Sequence, residues 1–173
     1  MQRRHFFQAS GLLAAGLLAT PQYAFAAGPL AGKIRKSLKW SMVQDRSLSL
    51  SETLAKVKSL GYEGIEPRFA EAEDVEAWQK ARDESGLIID GLVAVPFDQR
   101  PEGVDRIKAL GGSSLLLVVR YDQKKSYKDN WQETQQAIKD SAPDAEKQGI
   151  QFLIENVWAS FLISPMDMKT YVD

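Results

Sequence analysis

One unit recurs along most of this chain: a helical segment, a glycine, an apolar run and then often an acidic residue. Glycine just past a helix end is a common C-cap, because it adopts the left-handed conformation at little cost. Helices and strands that alternate with short links are typical of an α/β fold. The glycines that mark the unit are Gly61, Gly86, Gly111 and Gly149.

The helices of the unit carry their own signals. Ser49 and Glu52 have the spacing of a capping box, and Leu50, Leu54, Val57 and Leu60 follow at the spacing of one apolar helix face. Further helices are predicted around 75–81, 104–110 and 129–147. Pro143 is expected to kink or restart the last of these. Ser164 followed by Pro165 predicts the start of a fifth helix.

The strand candidates are residues 37–43, 62–66, 87–94, 114–119 and 150–155. Residues 115–119 are apolar at successive positions, which predicts a parallel strand buried on both faces. A complete (β/α)8 barrel needs about 250 residues. The pattern therefore predicts an incomplete (β/α)8 TIM barrel of about five parallel strands with helices, covering residues 37–173 of the 173.

The N-terminus has the composition of an export signal. Arg3 and Arg4 precede an apolar run at 9–19, and residues 24–26 read Ala-Phe-Ala, which matches a cleavage site. Residues 1–26 are predicted to be a twin-arginine signal peptide and 27–36 a linker. The alternative is a membrane anchor, but the run is only about half the ~20 residues of a span. We expect a periplasmic or secreted protein with no stable membrane anchor after cleavage.

The residue inventory excludes several classes of site. The chain has no cysteine and one histidine, His5, so a thiolate zinc site and a Ser-His-Asp triad in the body are excluded. Removing residues 1–26 takes two of the 22 basic and none of the 23 acidic residues, which changes the net charge from −1 to −3. Without a large basic cluster, nucleic acid is not an expected partner.

In parallel α/β folds the site lies at the carboxyl ends of the strands. The strand assignment places Glu66, Asp90, Arg120 and Glu155 there, with residues 44–45 after the first strand. Glu155 is the most informative, since it ends an apolar run and precedes Asn156. A carboxylate in this position suits metal coordination or proton abstraction. The alternative, weighed equally, is a rim acid that pairs with Arg120.

Three other candidates have stronger structural alternatives. Glu66 is followed by Pro67 and Arg68, so it could form a surface ion pair rather than contact a substrate. Trp40 and Trp158 could form an apolar wall against a sugar ring, although tryptophans in small domains are more often part of the core.

The segment 155–165, from Glu-Asn-Val-Trp to Ser-Pro, and its continuation to Tyr171, Val172 and Asp173 resemble the xylose-isomerase-like TIM-barrel sugar (phosphate) isomerases and epimerases. Residues 60–66 also match the second-strand pattern of that family. The resemblance covers residues 36–173, the N-terminal half of the barrel, and points to the hydroxypyruvate-isomerase-like members.

The resemblance implies metal-assisted proton transfer next to a carbonyl, through an enediolate, on a small sugar or hydroxy-carbonyl substrate. Glu155 matches a metal-binding glutamate that doubles as the acid/base, and Glu66 matches a substrate-contacting acid. The expected cofactor is Mn²⁺ or Mg²⁺, if the site is completed. The other family ligands, an Asp, a His and a second Glu, lie on later strands, so we expect truncation to impair activity.

A different class of function stays open. The chain could be a non-catalytic half-barrel fragment or a sugar-binding remnant, and its exposed strand edges would allow a homo-oligomer.

Overall fold

The computed structural model describes residues 33–43, 45, 47–157 and 161–173. The predicted signal peptide and Trp158 lie outside these residues. Arg35–Asp173 forms one compact unit, in which strands and helices alternate. In chain order the elements are β1 Ser37–Lys39, α1 Leu50–Ser59, β2 Gly64–Glu66, α2 Val75–Ser85, β3 Ile88–Ile89, β4 Gly91–Val93, α3 Arg100–Leu110, β5 Ser114–Val118, α4 Tyr127–Lys147, β6 Gln151–Glu155 and α5 Pro165–Val172.

All strand pairings are parallel, in the orders β1-β2-β3 and β4-β5-β6. The strand predicted at 87–94 is interrupted at Asp90, which separates β3 from β4. The Asp90 N–H donates to Ile65 on one side, and its carbonyl accepts from Ser113 on the other. Five strand positions therefore follow one another, which confirms the predicted partial TIM barrel.

Helices cover one face of the strands, and the core lies between them. Fully buried side chains from α1, α3 and the strands share this layer, among them Leu54, Ile65, Ile107, Leu115 and Leu117. We call the opposite face the inner face. Leu116 and Val118 point to it and are only partly buried. The prediction that residues 115–119 are buried on both faces is therefore wrong, because no helix covers the inner face of this strand in the described part of the chain.

Several predicted helix ends are confirmed by their caps. Ser49 and Glu52 close a capping box on α1, and Ser164 and Asp167 do the same on α5, with Pro165 in the first turn. Gly86 ends α2 in the left-handed conformation, with φ of 66°.

Two helix predictions are corrected by the structure. Leu60 follows the last residue of α1 and is 68% exposed, so the apolar face of this helix stops at Val57. Helix α4 neither restarts at Pro143 nor begins at 129. It runs from Tyr127 through the proline to Lys147, with Ser126 as its N-cap.

The strand predicted at 37–43 is also shorter than expected, since β1 ends at Lys39 and residues Trp40–Met42 form a 3-10 turn. No helix among the described residues is long and apolar enough to cross a membrane.

Candidate functional site

A cleft of about 260 Å³ opens on the inner face, at the carboxyl ends of the strands. Parallel α/β folds place their sites at this edge. The cleft is lined by Lys39, Arg68, Val93, Ala94, Leu116, Val118, Arg120, Glu155 and Val157. The residues come from all five strand positions, which are far apart in sequence, so the fold itself brings them together.

Strand register determines which side chains meet. Lys39 ends β1 directly beside Glu66, which ends β2, and Val118 ends β5 beside Glu155, which ends β6. Residues paired between parallel strands point to the same side of a sheet. Glu66 therefore lies on the inner face with Lys39 and Glu155, as the strand ends predicted.

Charged neighbours perturb the Glu66 carboxyl. Burial raises its pKa above the ordinary value, and the negative charges of Asp90 and Glu155 raise it further, while Lys39 opposes the shift. Glu66 and Glu155 are thus close enough to sense each other's charge across the inner face. A carboxyl whose pKa is raised holds a proton at a higher pH than a solvated one.

Asp90 adds a third carboxylate to this face. Its Oδ2 atom is buried and has no hydrogen-bond partner among the described residues. The carboxylate lies over Gly64, where a Cβ atom would come within 1.9 Å of Oδ2. Asp90 lies at the strand end where the sequence predicts it, although it was not among the predicted site residues. A glycine two positions before Glu66 could have indicated that a neighbouring side chain needs this space.

The cleft also contains basic side chains, of which Lys39 was not predicted and Arg68 was considered only as an ion-pair partner of Glu66. Lys39 ends β1 and Arg68 lies two residues beyond β2, while Arg120, considered only as an ion-pair partner, lies two residues beyond β5. Their position in the sequence could have identified them, since each stands at a strand end or two residues past it.

The simplest structural alternatives for the two glutamates are not found. The ion pairs of the described residues include neither Glu66 with Arg68 nor Glu155 with Arg120. Glu155 instead faces the cleft with Arg120 on the same wall. Among the described residues, the Glu155 carboxylate therefore has no ion-pair partner.

The backbone is strained beside the cleft. Ala94, immediately after β4, has φ of 56° and is the one described non-glycine residue with positive φ. Such conformations cost about 1–3 kcal/mol and cluster at functional sites.

The aromatic and amide candidates are placed as follows. Trp40 is partly buried and packs edge-on against Trp78 of α2, with 5.2 Å between ring centroids. Asn156 is exposed directly after β6. Trp158 lies outside the described residues. The sugar-contacting roles of these three residues stay predictions.

The described acidic residues of the cleft do not by themselves provide a metal site. Within the part of the chain that the structure describes, no three Asp, Glu or His side chains form a group that could hold a metal ion. Glu155 supplies one carboxylate, and a catalytic divalent cation needs several oxygen ligands. The described residues alone therefore do not form the metal site that the family resemblance implies.

Comparison with known proteins agrees with this architecture. The sequence profile described as "xylose isomerase-like TIM barrel" matches residues 54–173. No curated protein sequence matches the chain.

Several solved structures share the fold at low sequence identity. A xylose isomerase domain-containing protein from Salmonella typhimurium aligns with a TM-score of 0.67 and 20% identity, over 81% of this chain and 56% of its own length. D-allulose 3-epimerase from Methylomonas sp., solved with D-allulose, aligns with a TM-score of 0.65 and 19% identity, over 81% and 58% of the two chains. An AP endonuclease of family 2 from Brucella melitensis aligns with a TM-score of 0.64 and 13% identity, over 80% and 64%. The chain thus spans somewhat more than half the length of these structures.

Proposed function

The chain belongs to the xylose isomerase-like TIM-barrel family, and from this membership we propose that it acts as an isomerase or epimerase on a small sugar or hydroxy-carbonyl compound. The observation that carries the proposal is the position of Glu155. Its carboxylate ends β6, lines the cleft at the carboxyl edge of the sheet and forms no ion pair with the described residues. Glu66 lies on the same face and carries a raised pKa.

The proposed chemistry is proton transfer next to a carbonyl. Glu155 removes the proton from the hydroxyl-bearing carbon beside the carbonyl. The electron pair of that C–H bond forms a C=C bond while the π pair of the carbonyl moves to its oxygen, which gives an enediolate. Protonation of the former carbonyl carbon, with the hydroxyl proton passing to the other oxygen, isomerises the compound. Protonation of the original carbon from the face opposite Glu155 epimerises it. The cations of the cleft stabilise the negative charge that develops on oxygen.

Glu66 is the second carboxyl group proposed to act on the substrate. We propose that it contacts a substrate oxygen; burial and the charge of Asp90 raise the pKa of its carboxyl, so it keeps a proton to a higher pH than a solvated glutamate does. Trp40, Asn156 and Trp158 are proposed as further substrate contacts on the basis of the sequence alone.

A divalent cation, Mn²⁺ or Mg²⁺, is part of the family resemblance, and it would polarise the carbonyl when bound. Glu155 is the residue of this chain proposed to bind it. Because the described residues do not complete its coordination, no step above passes through a metal.

A second candidate function is binding without catalysis. Sugar binding needs no metal, and within the described residues no three Asp, Glu or His side chains form a metal site, so this candidate is compatible with the cleft as well. The two functions differ in whether the carbon-bound proton of a ligand exchanges with solvent.

Proton exchange provides the test. The full chain is incubated in D₂O with Mn²⁺ and either D-fructose or hydroxypyruvate, and NMR follows deuterium at the carbon beside the carbonyl. We expect exchange, and we expect Glu155→Gln to slow it about 100-fold or more, as loss of a general base does. Glu146→Gln, an exposed change on α4, is the matched control. Ligand binding without exchange would support the binding half-barrel instead, and exchange unaffected by Glu155→Gln would contradict the assigned role.

We also propose that residues 1–26 direct twin-arginine export to the periplasm, and that the mature chain forms a homo-oligomer. The first proposal rests on the residues quoted above, and the second on the strand edges of an incomplete barrel. The subtype within the family, hydroxypyruvate-isomerase-like, is proposed on the sequence resemblance.

A further inference from the structure

The charge of the cleft is its most distinctive chemical property. Three cationic side chains, Lys39, Arg68 and Arg120, line a volume of about 260 Å³ together with one carboxylate, Glu155. They arrive from the end of β1, from beyond β2 and from beyond β5. The lining is therefore predominantly cationic, although the sequence carries slightly more acidic than basic residues.

These cations are not used for internal ion pairs. The described part of the chain contains seven ion pairs, and their cations are Lys56, Lys80, Arg82, Arg106, Lys125, Lys147 and Lys169. Lys39 has a partial role in the protein, since its charge offsets the raised pKa of Glu66. No comparable contact occupies the guanidinium of Arg68 or Arg120 among the described residues. Within the described part of the chain, both guanidinium groups are thus available to a ligand.

Arginine provides a specific kind of recognition. Its planar guanidinium donates two parallel hydrogen bonds to a carboxylate or a phosphate, and such bonds are about twice as strong as neutral ones. A neutral ketose offers only hydroxyl and carbonyl groups and makes no use of this positive charge.

The position of Arg120 suggests how an anionic group is held apart from Glu155. Arg120 also lines a second cavity of about 430 Å³, which shares Ala94 and Val118 with the cleft and extends toward Phe97 and Thr134. An anionic group near Arg120 on that side lies away from the carboxylate of Glu155. The rest of a small ligand then extends into the cleft, toward Glu155.

We infer that the cleft accepts a small hydroxy-carbonyl compound with a terminal oxyanion, a carboxylate or a phosphate, bound by Arg68 and Arg120 with support from Lys39. The hydroxy-carbonyl part of this inference rests on the proposed function. The oxyanion part rests on the basic side chains alone, so binding can test it without turnover.

The test measures binding of three small probes to the full chain without added metal: inorganic phosphate, glycolate and glycerol. NMR spectra of the arginine Nε–H groups and backbone amides report the site. We expect phosphate or glycolate to shift the signals of Arg68 and Arg120, and glycerol to leave them unchanged. A preference for phosphate identifies a phosphorylated substrate, and a preference for glycolate identifies a carboxylate substrate.

Substitutions then locate the site. Arg68→Gln and Arg120→Gln are each expected to weaken oxyanion binding about tenfold, which corresponds to about 1.4 kcal/mol. Lys128→Gln, which removes an exposed charge on α4, is the control and should leave binding unchanged. Amide spectra of each variant show whether it is folded, and Arg120→Lys, which retains the charge but loses the planar fork, provides a conservative second variant with intermediate affinity.

Two results would overturn the inference: no oxyanion binding at all, or equal binding by wild type and the double variant R68Q/R120Q. Proton exchange on neutral D-fructose without oxyanion binding would overturn the anionic substrate and leave the proposed function intact. Oxyanion binding at both arginines without proton exchange on any probe would support the anionic ligand and overturn the proposed function.

Discussion

The carboxylate of Asp90 occupies the space above Gly64, where a Cβ atom would lie 1.9 Å from Oδ2 and 2.7 Å from Cγ. This contact crosses from the interruption between β3 and β4 to the first residue of β2. It explains why β2 begins with a glycine on its inner face, and it makes the two positions interdependent.

Gly64→Ala is therefore expected to destabilise the protein by about 1–3 kcal/mol, because the added methyl group overpacks against a carboxylate. Urea denaturation followed by circular dichroism measures the loss. In the double variant G64A/D90A the clash with the carboxylate is absent and only the milder contact with Ser37 Oγ at 2.9 Å remains, so the two changes should not be additive. Strict additivity would show that Asp90 does not occupy this space.

Leu54 in helix α1 and Leu60 just after its last residue form a matched pair of leucines. Leu54 is fully buried, whereas Leu60 is 68% exposed although both belong to the same apolar repeat in the sequence. We expect Leu54→Ala to lower the free energy of unfolding by about 2–5 kcal/mol. Leu60→Ala should change it by no more than about 0.5 kcal/mol. Equal effects in chemical denaturation would contradict the observed end of the helix.

The N-cap of α1 should contribute measurably to stability. The Ser49 hydroxyl accepts from the Glu52 N–H at 3.3 Å, and the Glu52 carboxylate accepts from the Ser49 N–H at 2.9 Å. Ser49→Ala is expected to cost about 1 kcal/mol, and Ser49→Gly only a few tenths. Thermal denaturation of the two variants side by side measures whether Ser49→Ala costs more stability than Ser49→Gly. The reverse order would contradict a capping role for the hydroxyl.

Glu66 should make stability depend on pH. Its pKa is raised in the folded protein, mainly by burial and then by Asp90, so the folded state binds more protons than the unfolded state between the two pKa values. The free energy of unfolding should therefore decrease as the pH rises through this window. Glu66→Gln should flatten that dependence and be more stable than wild type at neutral pH.

NMR titration of the Glu66 side chain provides the direct measurement. Lys39→Met removes the charge that lowers its pKa, so the midpoint should rise further. Lys58→Met on α1 is the control, since Lys58 donates to the Gly86 carbonyl and is not among the groups that shift Glu66. An unchanged midpoint in Lys39→Met would show that Lys39 and Glu66 do not interact as their register indicates.

Export is predicted to require both arginines of the leader. The conservative change of Arg3 and Arg4 to lysine should retain the protein in the cytoplasm with residues 1–26 still attached, because the twin-arginine route reads these two residues. Cell fractionation and N-terminal sequencing measure the outcome. Normal export and cleavage of this variant would indicate a different route.

Local sequence patterns predicted most of the secondary structure. Helix starts at Ser49 and Ser164 were visible because a capping box involves residues only three positions apart. Glycine at helix ends and apolar runs between helices likewise depend on neighbouring residues. The strand-end rule then placed Glu66 and Glu155 on one edge of the sheet, where the structure has them.

Other features depend on contacts between distant segments. Leu116 and Val118 are as apolar as Leu115 and Leu117, and only the position of the covering helices distinguishes the exposed face from the buried one. The interruption of the third strand at Asp90 likewise reflects hydrogen bonds to two different neighbours, Ile65 and Ser113.

The sequence by itself thus determined the alternation of strands and helices and the residues that stand at strand ends. Only the tertiary structure decided which strand ends face one another, and so brought Lys39, Arg68 and Arg120 to the same cleft as Glu155. The physical reason is range: caps and helix periodicity depend on residues a few positions apart, whereas the charge of a cleft is the sum of side chains from strands that meet only after folding.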